Sequence, residues 1–484
     1  MKLPFSALPR LGTEIRKWRK PFLILTLIYL VGISAILRAN FYYVDDLKRA
    51  LNGRAGWSTF SRYLSDFFSQ FVHADTYLTD VSPLPQLLAV GILAVSALIL
   101  LYSFTASTTF TLWQYAAVVP LALSPYYLEC LSYKYDAPYM ALSVLASVAP
   151  ILFRRKKPPV FLIASAAGIL TVCISYQASC GIFPMLVIAL SLREWSKGEN
   201  GKTVLCRMGV AAGGYLLGLL LFKLFLMKPA ETYVSNSLDL SQLVPHWLRY
   251  YSYVLSDFKV WWLVLIALLI PAFAAAVVKG SVRKKGLTLL VSLCAVAALF
   301  LLAFGIYPAL KKPLYAPRAM YGFGVLIAVL AVEVSSEKGI RWGKLSALVL
   351  AWVFFVFAFT YGNALYVQAE YTDYRITLVA QDLNEVTAKL SKDKKEIRIS
   401  GSIGHAQPVK NMSGDCRILS RLVPITFCEK WKWGYYGLEH YYGLKNITYH
   451  EHGKFPQRKL PLLKRTSLHT IRGDDDYILI ELRK

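Results

Sequence analysis

Long apolar runs recur through most of this chain and constrain its fold more than any other feature. A helix of roughly 17–25 mostly apolar residues crosses about 30 Å of hydrocarbon and satisfies its own backbone hydrogen bonds there. Eleven runs qualify, some of them short, at 21–38, 85–104, 111–128, 136–152, 160–176, 180–193, 207–227, 260–278, 287–308, 319–335 and 345–367. The run at 180–193 is the weakest, because Gly181 and Pro184 interrupt it. We therefore predict a polytopic α-helical membrane protein with about eleven transmembrane helices.

The composition excludes an ordinary soluble protein, since 56% of the 484 residues are hydrophobic and only 17% are charged. The net charge of +25 would suit a nucleic-acid partner, but the basic residues lie mainly in short clusters between apolar runs and in the C-terminal tail. We interpret them as topology signals and expect no nucleic acid. No cleavable signal peptide is expected, because the first run reaches spanning length with no small-residue cleavage site after it.

The basic clusters predict the orientation, because short cytoplasmic loops are enriched in Lys and Arg. In an eleven-span arrangement the clusters share one side, at 16–20, 154–157, 193–207, 279–285 and 338–344. That side is predicted to be cytoplasmic, together with the N-terminus. The outward segments are then 39–84, 129–135, 228–259, 309–318 and the tail from about residue 370.

The tail is predicted to be a small domain, which divides the chain into a membrane domain, 1–369, and a C-terminal domain, 370–484. Thr372 is a candidate cap for a helix, and residues 396–400 and 477–482 have strand patterns, so we predict an α/β domain. The apolar stripe of that helix is Ile376, Val379, Leu383, Val386 and Leu390. An aromatic stretch, 431–442, suits either a carbohydrate-facing surface or core packing. Cys416 and Cys428 are candidates for a disulfide if this side is oxidising.

The first outer loop contains a predicted amphipathic helix from about 57 to 72. Its apolar residues recur every three or four positions, at Trp57, Phe60, Leu64, Phe67, Phe68 and Phe71. Such a helix either lies in the interface plane and roofs a cavity, or simply covers the core.

Two adjacent carboxylates, Asp45 and Asp46, follow directly after the first span. An ionisable group at this depth is costly unless it faces water or a cavity, so it is a functional hypothesis by default. Partial desolvation and mutual repulsion would raise the pKa of one of them, as suits a base that removes a hydroxyl proton. In the structural alternative, Asp45 caps a helix beginning at Leu47 while Asp46 pairs with a neighbouring arginine.

Four segments carry a resemblance to a known family. They are RANFYYVDDLKRAL (38–51), Trp57-Ser58, LTDVSPLPQ (78–86) and LSYKYD (131–136). With the pattern of spans, they resemble the bacterial GtrII-type glucosyltransferases, the serotype-converting enzymes that modify O-antigen. The likeness is strong over the first 140 residues and rests mainly on topology beyond them.

The resemblance implies a GT-C-like fold and an enzyme of the bacterial inner membrane. It implies undecaprenyl-phosphate glucose as donor, an O-antigen or lipopolysaccharide acceptor, acidic catalytic residues in the first outer loop, and a reaction on the outer face of the inner membrane. The tail, outward by the charge pattern, is then a periplasmic C-terminal domain. No cofactor is expected. Asp45 and Asp46 have the chemistry to hold a divalent ion, but a monophosphate donor does not require one. His450-Glu451-His452 lacks further ligands at a suitable spacing, so no metal site is predicted.

Transfer with inversion needs a base for the acceptor hydroxyl, a role open to Asp45 or Asp46. The leaving phosphate needs cations at headgroup level. Lys311, Lys312 and Arg318 offer them on the outer side, where basic clusters are otherwise scarce, although snorkelling at the interface would also explain them.

Three further substrate-binding candidates lie in the second and third outer turns. Lys134 suits the phosphate and Asp136 the sugar or the base, but a salt bridge between them is an equal alternative. Gln177 is a candidate partner for a sugar hydroxyl. A transporter or flippase of a lipid-linked sugar remains the alternative function, although we find no internal repeat of the kind that transporters often show.

Overall fold

The computed structural model describes residues 8–228, 237–391, 395–414, 416–430, 432–442, 447–449 and 459–484. His450-Glu451-His452 lies outside them. The chain forms two compact units. The first unit contains Met1–Ser34, Gly56–Thr76 and Val81–Phe359, and the second contains Ala35–Ala55, Tyr77–Asp80 and Thr360–Lys484. The predicted division at 369/370 stays a prediction.

The described part of the chain is mainly helical. Its α-helices are α1 Leu8–Ala39, α2 Asp46–Asn52, α3 Tyr63–His73, α4 Leu84–Thr105, α5 Leu112–Ala117, α6 Val119–Leu123, α7 Pro125–Ser132, α8 Ala137–Val148, α9 Pro158–Ser175, α10 Ile182–Ser196, α11 Gly201–Leu221, α12 Leu243–Asp257, α13 Val260–Gly280, α14 Lys285–Leu302, α15 Gly322–Val334, α16 Arg341–Thr387, α17 Gln407–Ser413, α18 Arg417–Leu422 and α19 Trp433–Tyr442. Short 3₁₀ helices lie at Trp57–Phe60, Ala149–Phe153, Gln177–Gly181, Leu240–Gln242, Tyr307–Ala309 and Pro317–Ala319, and a π-helix lies at Phe222–Leu226.

Eight helices in the described residues are long and apolar enough to cross a membrane. They are Arg16–Ala39, Leu84–Thr105, Pro158–Ser175, Gln177–Ser196, Gly201–Leu226, Val260–Gly280, Lys285–Leu302 and Arg341–Thr387. Three shorter apolar helices lie at Leu112–Leu123, Ala137–Phe153 and Gly322–Val334. Each predicted run falls on one of these eleven segments. The membrane character is therefore confirmed, while a count of eleven crossings stays a prediction.

The first unit is built around α15, in which every residue is buried. Helices α13, α10 and α6 pack against it. Helices α9 and α11 pack closely because Gly214 and Gly218 lie between them. A Cβ at Gly218 would lie 2.7 Å from the Ala166 carbonyl oxygen, so only glycine permits this approach.

Two predicted helical segments are broken in the structure. The run at 111–128 forms α5, α6 and α7, with a proline in the first turn of both α6 and α7, where a missing N–H costs little. The predicted helix at 57–72 is a 3₁₀ turn followed by α3, because Ser61 adopts the left-handed conformation at φ 60°. The run at 180–193 forms most of α10 despite Pro184, which lies in its first turn.

The second unit contains a five-stranded sheet in the order β2-β1-β5-β4-β3, which confirms the small C-terminal sheet. Its strands are β1 Lys395–Gly401, β2 Ile447–Tyr449, β3 Leu462–Arg465, β4 His469–Gly473 and β5 Tyr477–Leu482. Strand β1 pairs in parallel with β2 and β5, whereas β4 is antiparallel to β3 and β5. The C-terminal part of α16 covers this sheet.

The predicted apolar stripe of the tail helix is confirmed, but the predicted cap is wrong. Ile376, Val379, Leu383 and Val386 are buried against the sheet, with Leu390 partly buried beside them. Thr372 is buried inside α16, whose 47 residues continue from the last apolar run without a break. No proline interrupts this stretch, so the backbone continues its helical hydrogen bonds through the position of the expected cap.

No disulfide forms among the described residues. Cys416 and Cys428 are both buried, and the Cys428 thiol donates to the Ile425 carbonyl oxygen at 3.2 Å. Within the aromatic stretch 431–442, residues Trp433–Tyr442 form helix α19.

Candidate active site

The two adjacent aspartates lie in different surroundings within the second unit. Asp46 is fully buried, and its Oδ2 accepts a hydrogen bond from the Tyr43 amide at 3.0 Å. Asp45 is exposed and lies one residue before α2, where its side chain makes no capping hydrogen bond. The predicted cap by Asp45 is therefore not formed. Of the pair, only Asp45 is exposed to solvent.

The turn that carries the pair is strained and held by the tail. Val44 has φ 50°, which is unusual for a β-branched residue, and strain of this kind is often found at functional sites. Within the second unit, the Tyr43 hydroxyl donates to the Leu422 carbonyl oxygen at 2.7 Å, and helix α2 packs against α19. The C-terminal segment therefore holds the turn that orients Asp45.

A second group of polar residues is buried in the first unit. The Trp57 indole N–H donates to Asp136 Oδ1 at 2.6 Å, and its ring packs edge-on against Tyr139. Trp57 and Asp136 are 1% and 4% exposed. Trp57 belongs to the apolar stripe that predicted an amphipathic helix. Its indole N–H nevertheless binds Asp136, a predicted site carboxylate.

Glu129 and Arg318, also in the first unit, are joined by an ion pair and by a backbone hydrogen bond. Glu129 Oε1 accepts from the Arg318 guanidinium and Oε2 from the Arg318 backbone N–H, both at 2.6 Å. The Tyr176 hydroxyl donates to the Arg318 carbonyl oxygen at 3.2 Å, and the Arg62 guanidinium lies 4.6 Å from the centre of the Tyr176 ring. We refer to Arg62, Glu129, Asp136, Tyr176 and Arg318 as the polar cluster.

The thiol of Cys130 lies within the field of this cluster. Burial raises the pKa of Cys130, and nearby charges act on it as well. Those charges belong to Glu129, Arg318, Asp136 and Arg62. The two acids and two arginines of the polar cluster therefore all lie close enough to interact with the Cys130 thiol.

An apolar cavity of about 630 Å³ lies next to the polar cluster. Arg62 belongs to both. Most of the cavity wall is apolar and comes from the C-terminal ends of α9 and α11 and from residues 306–314, whereas its charged residues are Arg62 and Lys223. Gln177 also lines it, and the side-chain amide of Gln177 donates to the Phe60 and Cys173 carbonyl oxygens.

The structure brings only some of the predicted site residues together. Asp136, Gln177 and Arg318 belong to the polar cluster or the cavity wall, and Lys134 is 2% exposed in the same unit. Lys311 and Lys312 are exposed, with the Lys311 amide bonded to the Ser237 carbonyl oxygen. Asp45 and Asp46 belong to the other unit. None of these assignments to substrate or catalysis is thereby tested.

Sequence reasoning missed Arg62, Lys223 and the ion pair between Glu129 and Arg318. Arg62 follows an aromatic segment with no motif of its own. A Lys223 within the apolar run at 207–227 is the signal that could have been used, because a lysine in a span points to a cavity. Among the described residues, no group of three or more His, Cys, Asp or Glu side chains could hold a metal ion.

These features define a membrane-embedded protein with an apolar cavity beside buried acids and bases. The family model for glucosyl transferase GtrII matches residues 34–329, and the chain belongs to this family. The matched region includes both aspartates, the polar cluster and the cavity wall. The predicted family is thus confirmed, and it makes the chain a glycosyltransferase.

One relative covers most of the chain. A protein of Salmonella phage P22, described as an uncharacterized 55.3 kDa protein in the gtrB 5′ region, is 24% identical over 438 residues. The match covers 85% of this chain and 87% of the relative. No solved structure matches the chain.

Proposed function

We propose that this chain transfers glucose from undecaprenyl-phosphate glucose to an O-antigen or lipopolysaccharide acceptor, with inversion, on the periplasmic side of the bacterial inner membrane. The observation that carries the lipid-linked donor is the apolar cavity, whose polar end is Arg62 beside the polar cluster. Undecaprenyl-phosphate glucose has the same division, with a long apolar chain and an anionic sugar-phosphate head.

Charge supports this choice of donor. A cation in an apolar wall is costly without an anionic partner, and the cavity contains two, Arg62 and Lys223. Arg318 is already bound to Glu129, so Arg62 is the better candidate for the donor phosphate. Lys311 and Lys312 are exposed and suit an approaching headgroup. A GT-C-like fold and eleven crossings belong to the same proposal.

The reaction needs one proton acceptor. Asp45 takes the proton of the acceptor hydroxyl, the hydroxyl oxygen attacks the anomeric carbon, and the bond from that carbon to the phosphate oxygen breaks. The polyprenyl phosphate leaves with the bonding electron pair, and cations stabilise its charge. Asp45 is the base because it is exposed, whereas Asp46 is buried and fixes the turn through the Tyr43 amide.

The family and the phage relative support the proposed acceptor. GtrII is a glucosyl transferase family, and the phage relative is described by its place beside gtrB. Glucosylation of O-antigen repeats, and hence serotype conversion, is consistent with both. Asp136 and Gln177 are proposed to bind the sugars, and Lys134 the donor phosphate. No cofactor or metal is required.

A transfer assay tests the proposal. Purified full-length protein in detergent receives undecaprenyl-phosphate glucose labelled in the sugar, together with O-antigen acceptor. We expect label in the acceptor and release of undecaprenyl phosphate. A parallel assay in liposomes measures movement of labelled donor between leaflets. Donor that crosses the bilayer with no label in any acceptor would replace the glycosyltransferase with the flippase alternative.

A further inference from the structure

A second pocket, of about 440 Å³, lies between the N-terminal ends of α9 and α11, away from the apolar cavity. We refer to it as the basic pocket. Its charged lining residues are all cationic: Arg154, Arg155, Lys156, Lys202 and Arg207. Nothing in the proposed reaction uses this pocket.

One buried carboxylate organises three of these cations. Glu194 Oε1 accepts from Arg154 at 3.2 Å and from Arg155 at 2.9 Å, and its Oε2 accepts from Arg207 at 3.1 Å. Glu199 adds one further contact, 3.4 Å from Arg207. A guanidinium group has five N–H donors, so these bonds hold the arginines in place and leave other donors for a ligand. Two carboxylates balance two of the five cations, and the pocket keeps a positive excess.

Part of the lining of the pocket is apolar, from Phe161 and Val210. On the same two helices, Ile163 of α9 and Leu205 of α11 are 65% and 67% exposed. Large exposed apolar residues along two membrane helices suit contact with acyl chains.

We propose that the basic pocket binds the phosphate headgroup of an anionic phospholipid, whose acyl chains lie along α9 and α11. A free phosphate would use the cations but not the exposed apolar faces. Basic pockets between transmembrane helices are recognised lipid-headgroup sites. The ligand needs one negative phosphate diester and two hydrocarbon chains, as phosphatidylglycerol has.

The position of the basic pocket supports this assignment. Pro158 lines the basic pocket and Cys173 lines the apolar cavity, and both belong to α9. Fifteen residues of helix separate them, or about 22 Å along the axis, which approaches the thickness of the hydrocarbon core. The two sites therefore lie towards opposite faces of the membrane. A phospholipid bound here would steady α9 and α11, whose other ends form the cavity.

Lipid binding to the full-length protein in detergent tests the proposal. Native mass spectrometry measures the affinity for phosphatidylglycerol and for phosphatidylcholine. We expect a clear preference for phosphatidylglycerol in the wild-type protein. The double variant Lys156→Gln/Lys202→Gln is expected to weaken phosphatidylglycerol binding by about 30-fold, from about 1 kcal/mol for each lysine. It leaves the Glu194 ion pairs intact.

The matched control is Lys284→Gln/Lys285→Gln, which removes the same charge from exposed lysines outside the pocket. We expect it to bind like the wild type. Equal losses in both double variants, or equal binding of both lipids, would overturn the proposal. Glycerol phosphate and inorganic phosphate are added as competitors in another arm. If either displaces the lipid at similar concentration, the pocket is a site for free anions and the lipid assignment is wrong.

Discussion

At the scale of single residues, the pair Asp45 and Asp46 shows how neighbours in the chain acquire different roles. The backbone at Val44 and the start of α2 turn one carboxylate into the protein and leave the other in solvent. In the sequence, the two aspartates are adjacent and have the same side chain, so they look alike. In the proposed mechanism, only burial distinguishes the base, Asp45, from Asp46, which holds the turn.

We predict that Asp45→Asn lowers the rate of transfer by about 10²-fold or more, as is typical when a general base is lost. The variant is expected to fold normally. Asp46→Asn removes a charged acceptor from the Tyr43 amide, so we expect lower stability together with lower activity. Turnover and thermal unfolding are measured on both variants. Full transfer by Asp45→Asn would refute its assignment as the base.

Arg62 carries the prediction for the donor. Arg62→Gln is expected to raise the KM for undecaprenyl-phosphate glucose about tenfold or more, because a hydrogen bond to a charged group is lost. Arg249→Gln is the control, since Arg249 also lies over an aromatic ring, 4.7 Å from the centre of Tyr315, but does not line the cavity. Equal KM values in the two variants would exclude Arg62 from the phosphate site.

At the scale of elements, the join between α16 and the sheet depends on one buried cation. Arg375 is 0% exposed and donates to the Leu468 and Arg483 carbonyl oxygens, each at 2.7 Å. It also donates to the Tyr371 hydroxyl at 2.6 Å. The bonds to Leu468 and Arg483 tie the helix to the open end of the β4–β5 hairpin, where these two residues are adjacent. The apolar stripe alone would not fix the position of α16 on the sheet.

We expect Arg375→Met to destabilise the C-terminal sheet by about 2–5 kcal/mol, because the Leu468 and Arg483 carbonyl oxygens each lose a hydrogen bond from a charged donor. Hydrogen exchange of β4 and β5 in the full-length protein measures the loss. Arg472→Met removes an arginine from β4, but its partner Glu481 is 40% exposed, so we expect a change below about 1 kcal/mol. Similar protection in both variants would contradict the role of Arg375.

His469 makes the same element sensitive to pH. Burial lowers the pKa of His469, with a smaller contribution from Arg375 and Arg483, although Asp382 opposes the shift. Below the ordinary pKa of about 6.5, the unfolded chain binds more protons than the folded one, so stability is present above that pH and falls as the pH decreases. Hydrogen exchange of β4 should report this loss, and His469→Gln should reduce it. A wild-type sheet that is more stable at pH 5.5 than at 7.5 would contradict the sign.

At the scale of the whole molecule, the proposed orientation places the C-terminus in the periplasm. A reporter that is active only after export should therefore be active when it is fused after residue 484. Fusions within 154–157 should instead report a cytoplasmic position. An odd number of crossings between these two sites is needed for that result. A cytoplasmic report from the C-terminal fusion would overturn the proposed topology and the periplasmic site with it.

The sequence alone determined the membrane character, the apolar segments, the family and the stripe that packs on the C-terminal sheet. The family follows from four segments that resemble it. The other features follow from local composition and periodicity, because hydrocarbon and helical geometry act on every run in the same way. Tertiary structure decided that Asp46 is buried and Asp45 exposed, that Trp57 binds Asp136, that Arg62 joins the apolar cavity to the polar cluster, and that Glu194 assembles the basic pocket. Each depends on residues far apart in the chain or on one backbone turn, so no local pattern encodes it, and packing alone sets which charges meet.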